Sequence, residues 1–217
     1  MAHPKKTIQN QKTEYNTVSA PTDIEITIQR SRFIASLRRV NGQDNFNAAL
    51  KEIAASYPKA THYCWAYRFN ANPVLEYASD AGEPAGTAGR PILGALKKYD
   101  LQNTMAVVTR YYGGIKLGVK GLISAYGGAT LLAVEKSTII IDEPKRILHF
   151  KCSYDFYNIL LYRLERQLTD TSSLAVDFSD VVSGCVPVPI SIINRLKDEL
   201  DSIPSGENAL EYDIKEV

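Results

Sequence analysis

Residues 79–128, SDAGEPAGTAGRPILGALKKYDLQNTMAVVTRYYGGIKLGVKGLISAYGG, hold most of the chain's glycines and alternate glycine-rich turns with apolar runs. Glycine loses more freedom on folding than any other residue. It is kept where φ must be positive or where a backbone must approach something closely. Several such turns in one stretch predict a surface built largely of main chain, suited to holding a ligand or a partner. This locates a site without naming its chemistry.

The remainder must supply the core. With 45% hydrophobic and 23% charged residues in 217, the chain has enough apolar content for one large or two small cores. The net charge of +1 hides an uneven division. Residues 144–217 carry 8 Lys/Arg against 12 Asp/Glu, and residues 1–143 carry 17 against 12. A basic half joined to an acidic half points to an anionic partner for the first, or to solvated surface alone. Cys64, Cys152 and Cys185 are odd in number and far apart, which argues against a disulfide framework or a Cys-rich zinc site. The start, MAHPKKTIQNQKTEYN, has no apolar segment of a secretory signal, and no run approaches the ~18 apolar residues of a membrane span. A protein of the reducing cytoplasm, with no membrane contact, is expected.

Along the chain, residues 1–14 are polar and aperiodic. Extended pieces are predicted near 24–28 and 33–40, with Arg30-Ser31-Arg32 between them. Phe46, Ala49, Leu50, Ile53, Ala54 and Tyr57 have helical spacing, and Asp44 or Asn45 is placed to cap that helix. Residues 62–69 alternate: Tyr63, Trp65, Tyr67 and Phe69 share one face, to pack a core or to stack bases. A helix over 91–98, a buried strand over 104–110, a loop over 111–117, a helix over 118–134 and a strand over 137–141 follow. Leu122, Ile123, Tyr126, Thr130 and Ala133 would share the inner side of the second helix. Gly121, Gly127 and Gly128 weaken it by about 1 kcal/mol each, which close packing against a sheet would offset. A charged break at 142–145 suggests domains 1–142 and 143–217. In the second, strands and helices alternate as β-α-β-β-α-β, the last helix reaching Ile203 and Gly184 turning into a strand over 185–188. This is the ferredoxin-like order, so the fold class is α+β.

Three groups of residues carry possible chemistry. Arg110, Tyr111, Tyr112, Gly113, Gly114, Ile115, Lys116, Leu117 and Gly118 lie between a strand and a helix start, where N–H groups and the helix dipole attract anions. Gly113 and Gly118 have P-loop spacing, but Val119 and Lys120 replace its Lys and Ser/Thr, so Walker-type binding is rejected. A phosphate or RNA site and a tightly packed turn both remain. Asp80 and Glu83 suit a carboxylate pair or a hard-cation site, or else brace two loops by pairing with Arg32, Arg90 or Arg110. His62 and Cys64 share a strand face, as a Cys–His nucleophile, half a metal site, or a binding histidine beside an inert thiol.

At these residues the chain resembles the YigZ/IMPACT family. Ser31-Arg32-Phe33-Ile34-Ala35 matches its SRF motif, and His62 with Ala66-Tyr67-Arg68 its HxxxAYR. Residues 80–91 look like its DDGEPxGTAGxP and residues 107–118 like its VVTRYFGGxxLG. Ala81 departs from the pattern at the second Asp, which weakens a two-metal reading of that loop. The match runs from about residue 20 onward and is similar to the prokaryotic two-domain type, without the RWD domain of eukaryotic relatives. The resemblance implies an N-terminal α/β domain like the second domain of ribosomal protein uS5 and part of RNase PH, and a ferredoxin-like domain like one in elongation factor G. It implies a role in translation control and no defining enzymatic reaction.

Together these readings anticipate a cytoplasmic, nucleic-acid-binding protein without cofactor or metal. The basic glycine-rich face would meet RNA or the ribosome, and the C-terminal domain is open to a protein partner. Its expected binding residues are Arg32, His62, Asp80, Glu83, Arg90, Arg110, Tyr111, Gly113, Gly114, Lys116 and Gly118. The alternative is an enzyme on a small phosphorylated or nucleotide ligand in the same cleft, with Asp80 or Glu83 as base or metal ligand.

Overall fold

The computed structural model describes residues 14–71, 73–168, 170–202 and 210–216. The chain divides into two compact units, Met1–Asp142 and Glu143–Val217. Residues 1–13 and Ile203, about which the sequence makes predictions, lie outside the described residues.

The first unit is built on a five-stranded sheet of β2 (Thr22–Ile28), β3 (Ser31–Arg39), β6 (Thr104–Tyr111), β4 (His62–Phe69) and β5 (Leu75–Ser79), in that spatial order. Every pairing is antiparallel. The unit is therefore α+β, which corrects the expected α/β domain. Because β3 and β4 both pair with β6, the connection through α1 (Gln43–Ser56) crosses over β6. Likewise β5 and β6 both pair with β4, so α2 (Gly89–Lys98) crosses over β4.

Each face then finds its cover. The alternating aromatics of β4 meet α1: Phe46 lies 4.8 Å from the Trp65 ring and 4.9 Å from Tyr67. That face is a core, with Ile53, Met105 and Val107 beside it. On the other face Phe33, Ala35, Leu37, Ala66, Ala106 and Val108 pack under α2 and α3 (Gly118–Lys136). Burying such a side chain is worth about 1.5–3 kcal/mol. A short ladder of β1 (Tyr15–Val18) with β7 (Ile139–Asp142) completes the unit. β1 was not anticipated, because four residues offer too few alternations to register a period.

Three local readings are corrected. Helix α1 starts behind Gly42 with no side-chain cap, so neither Asp44 nor Asn45 serves. Ile123 is 42% exposed, off the inner side of α3. The α3 glycines do not face the sheet: a Cβ on Gly127 would touch Pro91 of α2 at 3.6 Å, and one on Gly128 would meet nothing.

The second unit is a four-stranded antiparallel sheet of β11 (Glu211–Glu216), β8 (Lys145–Cys152), β10 (Val182–Pro189) and β9 (Ala175–Phe178). Helices α4 (Tyr154–Gln167) and α5 (Ile193–Asp201) supply Leu160, Leu164, Leu196 and Leu200 to a core with Leu148, Phe150, Val186 and Val188. Gly184 sits within β10 rather than in a turn. A Cβ there would lie 2.4 Å from the Ala175 carbonyl oxygen and 2.6 Å from the Phe150 ring, so the strand needs glycine for close packing.

Candidate functional site

Strand register assembles the site. Phe33 of β3 and His62 of β4 are both Cα partners of Arg110 on β6, so the three form one row. The 80–88 loop and α3 then lay their side chains over that row.

Asp80 holds the loop together. One carboxylate oxygen accepts from the Gly86 N–H at 2.8 Å, and the other from Ala88 at 2.9 Å and Gly89 at 2.8 Å. Burial raises its pKa, but the three N–H bonds together outweigh it, leaving the carboxyl below its ordinary value. The same bonds satisfy donors at the start of α2, which has no other side-chain cap. Glu83 points inward. Its Oε1 accepts from Arg110 Nη1 at 2.6 Å and from the Tyr126 hydroxyl at 2.8 Å, and lies 3.9 Å from His62 Nε2. His62 Nδ1 is 3.0 Å from the Ala81 carbonyl, so that nitrogen carries a proton and donates it.

Arg110 is 5% exposed. Its guanidinium lies between the rings of Phe33 and Tyr112, 5.3 Å from each, and reaches Ser31 Oγ. The expectation of Arg110 as an outward charge is thus corrected: Glu83 neutralises it inside the fold. Of the possible partners for the acidic pair, Arg110 takes Glu83, while Arg32 makes a bidentate pair with Glu25 and lies over the Tyr111 ring.

Of the readings open for His62 and Cys64, the structure fits the inert thiol and not the nucleophile. Cys64 is buried and donates to the Asp80 carbonyl at 2.9 Å, and burial pushes the thiol up to about 12. Burial, then Cys64 and Glu83, push the Tyr126 phenol far up. Neither group is a nucleophile at neutral pH. Among the described residues no group of three or more His, Cys, Asp or Glu is placed to hold a metal ion.

The 111–118 loop is anchored at its start and exposed beyond it. Tyr111 donates to the Pro58 carbonyl, the Tyr112 N–H to Thr61 Oγ1, and the Gly113 N–H to Ser31 Oγ. Gly113 lies against the β2–β3 turn, where a Cβ would come within 2.1 Å of the Arg30 backbone. Its N–H is used internally, which corrects its expected role as a ligand donor. Gly114, Lys116, Gly118 and Lys120 are exposed, as are Arg30 and Arg90. The expected binding set omitted Tyr126, Ser31, Thr61 and Tyr112; Ser31 and Tyr112 stood in the motifs the sequence singled out, and Tyr112 is 44% exposed. Tyr126 had one signal: a tyrosine on the inner side of a helix needs a partner for its hydroxyl.

Residues 29–134 match the Impact N-terminal domain. A relative in Bacillus subtilis, IMPACT family member YvyE, is 35% identical over 93% of this chain and 90% of its own. The chain belongs to the IMPACT family. Family member YigZ of Escherichia coli is 38% identical over 63% of this chain and 68% of its own. A crystal structure of a hypothetical protein superposes with a TM-score of 0.67 at 28% identity, over 95% of this chain and 98% of its own. In this IMPACT family member the SRF, HxxxAYR, GEP and RYYGG segments converge through Ser31, His62, Glu83 and Arg110. The motifs build a hydrogen-bonded support beneath the start of the 111–118 loop.

Proposed function

We propose that this chain is a binding protein linked to translation regulation, acting in the cytoplasm and contacting RNA or the ribosome through the exposed part of its glycine-rich face. The observation carrying this reading is a set of outward cations on or beside the glycine-rich segment, which also exposes an aromatic ring. Arg30, Arg90, Lys116 and Lys120 are exposed and make no ion pair among the described residues. Arg30 is next to Gly113, and Tyr112 shows 44% of its surface. Cations hold phosphates and an exposed ring stacks on an unpaired base, the combination that binds single-stranded RNA. Arg110, Glu83, Asp80 and His62 act as the internal brace that fixes this face. Family membership supports the translation link. The second unit's β11-β8-β10-β9 order supports its ferredoxin-like reading, and likeness to uS5 and an elongation-factor domain stays part of the same proposal.

The test is binding of the full chain to fluorescent single-stranded RNA and to purified ribosomal subunits at low and high salt. Tight binding that weakens with salt and with Lys116→Ala/Lys120→Ala supports the reading. Salt-independent binding, or none by folded protein, overturns it.

A further inference from the structure

The outer side of α4 in the second unit is aromatic where a solvated helix face is ordinarily polar. Tyr154 and Tyr162 share one side of the helix and each shows more than half of its surface. Phe178, the last residue of β9, is as exposed and adjoins them: its ring centroid lies 6.2 Å from Tyr154 and 5.4 Å from Tyr157. Tyr157 in turn lies 6.4 Å from Phe150 of the core. The Tyr154 hydroxyl donates to the Ser179 carbonyl at 2.7 Å, which ties the start of α4 to the end of β9. Large rings held in place and left in water mark an interaction surface. Beside them β9 pairs with β10 alone, so its other edge has no strand partner among the described residues.

The charge around the rings selects the partner. Asp155 and Glu165 of α4 and Asp180 of the turn after β9 are exposed and make no ion pair among the described residues. The half of the chain that carries them has 8 Lys/Arg against 12 Asp/Glu. Carboxylates repel phosphates, which disfavours an RNA stacking its bases here and an anionic lipid surface alike. A cation is drawn both to a carboxylate and to a ring face. The helix holds one such pair of its own, with the Arg166 guanidinium 5.8 Å from the centre of the Tyr162 ring. Among the described residues no cation lies over Tyr154 or Phe178. We propose that this surface docks an extended, arginine- and lysine-rich segment of a partner protein. The main chain of that segment adds to the free edge of β9. Its cations lie over Phe178 and Tyr154, and Asp155, Glu165 and Asp180 neutralise them. The docking needs nothing from the cations of the first unit.

The test uses the folded full chain and a fluorescein-labelled peptide of alternating arginine and glycine, with a glutamate–glycine peptide and a single-stranded RNA beside it. Anisotropy titrations at low and high salt read the affinities, and circular dichroism checks each variant. The arginine peptide is expected to bind, less tightly at high salt, and the glutamate peptide is not. Phe178→Ser, a change at an exposed ring, should weaken binding about fivefold or more. Glu165→Gln/Asp180→Asn should weaken it as well and flatten its salt dependence. Lys116→Ala/Lys120→Ala should leave it unchanged, so that failure here and failure of the RNA reading are told apart. No binding of the arginine peptide by folded protein, wild-type affinity in either the ring or the carboxylate variant, or RNA binding that Phe178→Ser abolishes would each overturn the proposal.

Discussion

Asp80 and Glu83 are three positions apart and do different work. Asp80 binds only main chain, so its contribution depends on its charge. Its folded pKa lies below the ordinary value, so the unfolded chain binds the proton more readily. The stabilisation is complete above about pH 4 and is lost as pH falls through the lower folded value. Asp80→Asn is accordingly expected to cost more stability at pH 7 than at pH 3, measured by urea unfolding at both. Glu83 binds side chains. Glu83→Gln can keep an acceptor for Tyr126 but leaves Arg110 buried without its counter-charge, an expected loss of about 3–5 kcal/mol. Adding Arg110→Met to that variant should restore part of the loss, because the stranded charge is gone; a chemical-denaturation cycle over the two sites checks this.

Among the elements, the β2–β3 hairpin turns on two consecutive left-handed residues. Gln29 and Arg30 have φ of 44° and 66°, as a two-residue type I′ turn requires, yet neither is glycine. Gln29→Asn should therefore raise stability, by about 0.5 kcal/mol, since asparagine tolerates this region better. Gly113→Ala should do the reverse. Its methyl would meet the Arg30 backbone, which cannot rotate away as a side chain can, so a loss of about 1–3 kcal/mol or more is expected by thermal unfolding. Helix α1 and strand β4 were legible because their periods repeat within about 14 and 8 residues. The β10 interior was misread at Gly184, since a glycine serving close packing looks the same in sequence as one serving a turn.

For the whole molecule, the uneven charge of the two halves makes a quantitative expectation. If Arg30, Arg90, Lys116 and Lys120 each neutralise one phosphate of single-stranded RNA, log K should fall against log salt with a slope of about −3. Each cation replaced by alanine should reduce that slope by about 0.7, whereas Arg110, already neutralised, should affect affinity only through folding. Titrations at several salt concentrations separate the two effects.

Apart from β1, the order of helices and strands, the position of the glycine-rich segment and the family were determined by the sequence itself, because periodicity, turn chemistry and motif spacing are written within short windows. Tertiary structure alone decided which charges face outward. Arg110 reads as a phosphate-binding cation until the β3–β6–β4 register puts it beside Phe33 and His62 and a loop 27 positions away lowers Glu83 onto it. Register is a non-local property, set by which strands pair and how their side chains pack, and it decides which distant residues become neighbours.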